Sequence, residues 1–302
     1  MTLLRLIILG FLVTISIGTL AQDNEASLDN RGYGLYVPSS YDEAGEETLP
    51  LVIALHGFGD TWENFYPATG FIGLAESENF IVAFPQGYLR QWNDGSVGDH
   101  YEDDVQLLRD LVTRVDRDYR VDFDRIYLAG FSNGGTMVYK AACNAPDLFA
   151  GIAAVGGTMR TAQTDSCEDA QLPVVIIHGT ADTVVSFDGS DSRFSVPRAT
   201  LFWAEQNDCN LEEAPNVTDS RSSDGYSSFF YEDCPNGDLV LMHSLEDIGH
   251  TWAGAEAYVR GLSPQRPYLD TARIIWGFFD LAYQAELEAE QSPEMTPEAN
   301  EN

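Results

Sequence analysis

The sequence predicts an α/β protein with a mostly parallel central sheet covered by helices on both faces. Three observations carry this. Short apolar runs without polar alternation, at Leu49–Leu55, Phe80–Phe84, Ala150–Val155 and Val174–Ile177, have the pattern of strands buried on both faces. Segments with helical spacing of apolar residues separate them, and strands alternating with helices imply crossovers and parallel pairing. Hydrophobic residues make up 44% and aromatic residues 12% of the 302 residues, enough for one large core.

The elements follow in order. Met1–Ala21 has the anatomy of a secretory signal peptide: Arg5, the apolar run Leu6–Ile17, then the small-x-small site Thr19-Leu20-Ala21. The apolar run is shorter than the ~20 residues of a spanning helix, so export with cleavage is expected, to a secreted protein without a membrane contact. Residues 22–30 read as a polar leader. Residues 31–285 form the folded domain, and 286–302 read as an acidic disordered tail. Within the domain, residues 31–38 predict an opening strand, Asp42–Glu47 an acidic turn, and Leu49–Leu55 and Phe80–Phe84 two buried strands. Asp103–Tyr119 predicts a helix with Val105, Leu108, Leu111, Val112 and Val115 spaced along it. Arg125–Ala129 predicts a strand, Gly134–Cys143 a helix, and Ala150–Val155 and Val174–Ile177 two strands. Ala199–Gln206 predicts a helix, Ser227–Tyr231 and Leu239–Leu245 late strands, and Leu269–Ala285 a long apolar helix.

Composition excludes several partners. There are 48 acidic and 16 basic side chains, a formal net charge of −32, and Lys140 is the only lysine. Such a surface repels phosphate backbones and anionic headgroups, which argues against nucleic acid. Cys143, Cys167, Cys209 and Cys234 are an even set in an exported chain and predict two disulfides. Of the three possible pairings, Cys143–Cys167 and Cys209–Cys234 close the shortest loops and are favoured. No pair has CxxC spacing and no His stands at zinc-finger spacing, so no metal is expected. Nothing in the sequence sets an oligomeric state.

The chemistry concentrates at Gly130-Phe131-Ser132-Asn133-Gly134, between the strand Arg125–Ala129 and a helix. Gly-x-Ser-x-Gly in that context is a nucleophile elbow, which exposes Ser132 on a strained turn and aims a helix N-terminus at it. Such an elbow requires an acid and then a His later in the chain. Asp182 follows the strand Val174–Ile177 and is preferred over Asp188 and Asp191, which lie further from the strand edge. Of five histidines, His250 alone sits on a loop after Asp182 and before the last helix. His243 falls inside a strand, His178 precedes Asp182 and is expected to hydrogen-bond within its turn, and His100 lies in an acidic loop. His56-Gly57-Phe58-Gly59 follows an early strand, where it can supply one oxyanion amide at Phe58, the second coming from Asn133. His56 is read as shaping that turn. Trp92, Trp252 and Phe58 are candidates to line a substrate pocket, with packing as the alternative.

The fragments Leu-His-Gly-Phe-Gly, Gln91-Trp92-Asn93-Asp94-Gly95, Asp103-Asp104-Val105, Gly-Phe-Ser-Asn-Gly-Gly, Pro146-Asp147-Leu148-Phe149-Ala150, His-Gly-Thr-Ala-Asp and Gly-His-Thr-Trp-Ala-Gly occur in an order that resembles the polyhydroxybutyrate depolymerase-like esterases. This is the branch of the α/β hydrolases that includes feruloyl and acetylxylan esterases. The resemblance spans about residues 31–284. It implies an α/β-hydrolase fold, the triad Ser132, Asp182 and His250, and export, and it supports the same two disulfides. Ala253 stands where members often carry Pro. The short stretch between Gly156 and Pro173 leaves no room for a large lid.

The expectation is a secreted serine esterase acting without a cofactor on small or polymer-linked esters with short-chain or aromatic acyl groups. Cleavage of hydroxybutyrate polyester or oligomers is the alternative within hydrolases. A catalytically inert secreted binding protein is the alternative outside them, disfavoured by the complete triad.

Overall fold

A computed structural model describes residues 20–22, 31–96, 102–212, 216–219, 225–254 and 269–291. Ten strands form one sheet: β1 (Leu20–Gln22), β2 (Tyr33–Tyr36), β3 (Leu49–Leu55), β4 (Ile81–Pro85), β5 (Val121–Phe131), β6 (Gly151–Val155), β7 (Val174–Gly179), β8 (Asn216–Asp219), β9 (Tyr226–Tyr231) and β10 (Val240–Leu245). Their order across the sheet is β1-β2-β4-β3-β5-β6-β7-β10-β9-β8. The centre from β4 to β10 is parallel, and the flanking strands pair antiparallel.

Among the described residues six α-helices cover it: α1 (Trp62–Thr69), α2 (Phe71–Glu78), α3 (Asp104–Asp118), α4 (Asn133–Asn144), α5 (Val196–Gln206) and α6 (Thr271–Gln291). Alternate residues of β3 enter two different hydrophobic clusters. Leu51, Ile53 and Leu55 pack with residues of α3, α4 and α5. Val52 and Ala54 pack with those of α1, α2 and α6. Both faces are therefore buried, which is why the strands carry no polar alternation. The fold is of the α/β-hydrolase type.

Several expectations need correction. Helices α1 and α2 were not foreseen, because Pro67 lies inside α1 and Gly70 separates the two helices with φ 80. Strand β5 begins four residues before Arg125, and β8 was absent from the sequence reading. The boundary placed at 285 is too early. Helix α6 continues to Gln291, since Glu, Ala, Leu and Gln are good helix formers and an acidic composition suits a solvated last turn. Residues 292–302 of the expected tail lie outside the described residues. So do Met1–Thr19 of the signal peptide, most of the leader and His100. Among the described residues no helix is long and apolar enough to cross a membrane.

Disulfides Cys143–Cys167 and Cys209–Cys234 are both formed. The first ties the end of α4 to the turn that follows Thr161–Ser166. The second ties the segment after α5 to the segment after β9.

Candidate active site

The site lies at the C-terminal edge of the parallel strands. Ser132 stands between β5 and α4 with φ 57 and ψ −115, outside the regions an L-residue normally occupies. The neighbouring glycines make that turn possible. A Cβ on Gly130 would run into the Gly134 carbonyl. One on Gly134 would stand 2.5 Å from the Leu55 oxygen and 2.6 Å from the His56 oxygen. The Ser132 amide donates to the Val155 carbonyl (2.8 Å), which ties the elbow to β6.

His250 brings the three predicted residues together. Its Nε2 lies 2.7 Å from Ser132 Oγ and its Nδ1 lies 2.7 Å from Asp182 Oδ2. The His loop is laid against the acid loop by Ala181 N donating to Ile248 O (2.9 Å). Gly179 allows this approach, since a Cβ there would meet the Ile248 and Gly249 carbonyls. Phe131 packs on the imidazole at 4.9 Å between ring centres. Asp182 Oδ1 accepts from Val184 N (2.8 Å) and Val185 N (2.9 Å). Burial pushes the Asp182 carboxyl up, but hydrogen bonds from His178, His250 and the Val185 amide more than reverse this and hold it well below the usual carboxylate range. Asp188 and Asp191 are exposed on the following turn.

The Phe58 and Asn133 amides flank the serine. A Cβ on Gly57 would stand 3.4 Å from Ser132 Cβ, so the His56–Phe58 turn lies directly beside Ser132. Asn133 opens α4, and neither its amide nor that of Phe58 has a partner among the described residues. His56 shapes the turn as expected. Its Nε2 accepts from Gly87 N (2.9 Å) and its Nδ1 faces Gly57 O (2.8 Å), while burial pulls its pKa below the ordinary value.

The pocket expectation is corrected. Trp92 is 0% exposed and Trp252 is 1% exposed. Each indole N–H is spent on a backbone carbonyl, His56 O for Trp92 (2.9 Å) and Thr69 O for Trp252 (3.1 Å). Trp252 fills core space against Phe65 and Phe71. Both rings brace the site from behind. Phe58 is 72% exposed instead, as are Leu89 (73%) and Val184 (56%). Gly59 N donates to Arg90 O (2.6 Å), bringing the Leu89 loop to the Phe58 turn, and Val184 follows the acid. Leu89 and Val184 are isolated apolar residues in loops, which give no periodic signal in a sequence.

The two remaining described histidines also find structural partners. His178 Nε2 lies 2.7 Å from Val185 O. His243 Nδ1 pairs with Ser228 Oγ at 2.7 Å, and burial lowers its pKa to about 4. Among the described residues no group of three His, Cys, Asp or Glu side chains is arranged to hold a metal.

Comparison with known proteins adds to this geometry. The family model Esterase, described as "Putative esterase", matches residues 26–228, a span that includes Ser132 and Asp182. The chain is 28% identical over 242 residues to "Putative esterase NocK" of Nocardia uniformis subsp. tsuyamanensis, covering 73% of this chain and 69% of that one. It is 30% identical over 232 residues to "Feruloyl esterase B" of Piromyces equi, covering 70% of this chain but only 41% of the other. Among solved structures, the acetyl xylan esterase from Aspergillus awamori superposes with a TM-score of 0.64 at 16% identity. That match covers 87% of this chain and 100% of the other, a likeness of fold.

Proposed function

The chain belongs to the Esterase family and is a carboxylic ester hydrolase; from that premise we propose that it is a secreted enzyme acting on short-chain or aromatic acyl esters through Ser132, His250 and Asp182. The observation that carries the proposal is the unbroken chain of two 2.7 Å contacts from Ser132 Oγ through His250 to Asp182.

In this reading His250 Nε2 takes the Ser132 proton as Oγ attacks the ester carbonyl carbon. The Phe58 and Asn133 amides receive the oxyanion, helped by the N-terminus of α4. The tetrahedral intermediate collapses, and His250 hands the proton to the leaving alcohol. A water molecule, deprotonated by His250, then cleaves the acyl-enzyme, and Ser132 regains its proton. Asp182 keeps the hydrogen on Nδ1, so that Nε2 faces the serine as a base, and stabilises the imidazolium.

The name of the Piromyces relative supports an aromatic acyl group. The exposed side chain of Phe58, on the turn beside Ser132, would meet such a group, with Leu89 on the loop joined to that turn and Val184 two residues after Asp182. Two disulfides suit an oxidising compartment and support export. The test compares wild type with Ser132→Ala on chromogenic acetate, ferulate and hydroxybutyrate esters. Loss of turnover in the variant is expected, with acetate or ferulate preferred by wild type. Equal rates for the two proteins would overturn the mechanism, and preference for hydroxybutyrate would overturn the substrate assignment.

A further inference from the structure

Strand β7 carries one imidazole in an otherwise apolar run. Val174, Val175, Ile176 and Ile177 are all buried, and His178, which follows them, is 1% exposed. Its Nε2 lies 2.7 Å from the Val185 carbonyl and 3.3 Å from Asp182 Oδ2. Its Nδ1 is buried without a hydrogen-bond partner among the described residues.

These distances fix where the hydrogen sits. A carbonyl oxygen and a carboxylate oxygen only accept, so Nε2 carries the hydrogen, donates it to Val185 O at 2.7 Å and holds it beside Asp182 Oδ2 at 3.3 Å. Nδ1 is then a bare buried acceptor, which carries the desolvation cost of a bond not made. An apolar side chain at this position would avoid that cost. What the imidazole supplies in return is an N–H that is donated to Val185 O and stands 3.3 Å from the carboxylate oxygen facing His250.

We propose that His178 is a positioning residue for the acid of the triad, an assignment that rests on the proposed catalytic roles of Ser132, His250 and Asp182. Asp182 Oδ1 is fixed by two backbone amides of its own turn, those of Val184 and Val185. Those bonds shape the turn but do not tie it to the sheet. The His178 N–H does so, because it bridges β7 to both ends of the 182–185 turn. His178 is itself held in register by the parallel pairing of β7 with β10, opposite Ser244. The Phe187 ring packs edgewise with it, 6.1 Å between ring centres. The Asp182 amide also donates to Gly179 O of β7 at 3.2 Å, so His178 adds a side-chain tie to a backbone one in presenting Oδ2 to His250 Nδ1.

The test uses the full mature protein with His178→Leu and His178→Gln. The leucine variant removes the donor, and the glutamine variant restores an N–H of similar reach. With both variants shown to be folded by circular dichroism at the assay temperature, kcat of His178→Leu is expected to fall about ten- to hundredfold. That is the rate equivalent of one hydrogen bond to a charged group. KM should change by less than about twofold, since no substrate contact is lost. His178→Gln should recover most of kcat. The low-field proton resonance of the His250 Nδ1–H should move in the leucine variant and return toward its position in the glutamine variant. Wild-type kcat in His178→Leu, an unmoved resonance, or equal loss in both variants would overturn the proposal. Ser132→Ala and Asp182→Ala run alongside. If they are as active as wild type, the triad reading itself fails; if they are inactive while His178→Leu is not, only the role of His178 fails.

Discussion

Replacing Asp182 by Asn changes one oxygen into an NH2 group and leaves the volume unchanged. The surroundings decide which way the new amide turns. Two backbone donors, Val184 N at 2.8 Å and Val185 N at 2.9 Å, converge on Oδ1. Turning the NH2 toward them would leave both without an acceptor, at about 1–3 kcal/mol for the buried Val185 amide and less for the part-buried Val184 amide. Turning the NH2 toward His250 instead keeps both bonds; the His178 N–H then loses Oδ2 at 3.3 Å but retains Val185 O at 2.7 Å. The amide oxygen therefore stays with the turn and the NH2 faces His250 Nδ1, now 2.7 Å from a donor. Nδ1 must then accept, which moves the imidazole hydrogen to Nε2, facing Ser132 Oγ. A protonated Nε2 cannot take the serine proton. Loss of the base in this way costs about 10⁴-fold in kcat in a Ser-His-Asp triad. Asp182→Asn is expected to show this loss on a chromogenic acetate ester, with its melting temperature close to that of wild type and KM nearly unchanged. A variant that keeps a tenth or more of wild-type kcat would refute the tautomer argument. It would also remove Asp182 from the triad.

Two further predictions concern other parts of the molecule. Asp238 lies beside Glu286 in a cavity of about 220 Å³ that also includes Asp124 and Tyr283 in its lining; burial, then repulsion from Glu286, raises its pKa to about 6. The folded state therefore holds this proton more tightly than the unfolded chain, and the associated stability is complete below about pH 4 and lost as pH rises through about 6. Asp238→Asn should stabilise the protein by about 1 kcal/mol at pH 8, after allowance for solvent screening, and give no gain at pH 4; urea melts at the two pH values check this, and equal gains would refute it. Phe58→Ala should leave stability within about 0.5 kcal/mol of wild type, since the ring is exposed, yet raise KM for a ferulate ester severalfold with little effect on acetate. Paired kinetics and thermal melts on the two esters decide it, and unchanged selectivity would remove Phe58 from the substrate surface.

The strands and the elbow were legible because their physics is local. Leu49–Leu55 reads as a buried strand from seven residues, and its bounds in the structure are the same. The order Ser132, Asp182, His250 needed only the rule that strand ends carry the chemistry of such sheets. What was not legible depends on partners distant in sequence. Helix α1 contains a Pro and is capped by Thr61; its place is set by Trp62, whose ring lies where a Cβ on Gly34 of β2 would have to go. Trp92 and Trp252 looked available because they sit beside catalytic motifs. Only the fold shows that the His56 and Thr69 carbonyls claim their N–H groups. His178 was read as serving its own turn, which is correct for Val185 O, but its approach to Asp182 Oδ2 depends on how the chain curls back over β7.

The strong acidity of the chain also has an interior counterpart. Asp104, at the start of α3, pairs with Arg31 and accepts from Asn93 N at 2.6 Å. Asp94 takes Arg160 at 3.2 Å and Arg193 at 3.6 Å. Lys140, the only lysine, donates from α4 to Asn93 O at 2.8 Å. Burial pushes the Asp104 carboxyl up despite its partners and lowers the Lys140 pKa, so both groups bear a desolvation penalty. Buried ion pairs of this kind add little net stability over apolar residues of the same shape, which points to position as their use. The position they fix is that of residues 92–94. Trp92 N donates to Asn133 Oδ1 (2.6 Å), its carbonyl accepts from Asn133 Nδ2 (3.1 Å), and its indole donates to His56 O. One tryptophan therefore braces both segments whose amides are proposed to receive the oxyanion, the turn before Phe58 and the first residue of α4. An oxyanion site works only if its donors are already in place when charge develops. The buried charges of Asp94, Asp104 and Lys140 hold residues 92–94, and through Trp92 they hold the two segments proposed to carry those donors.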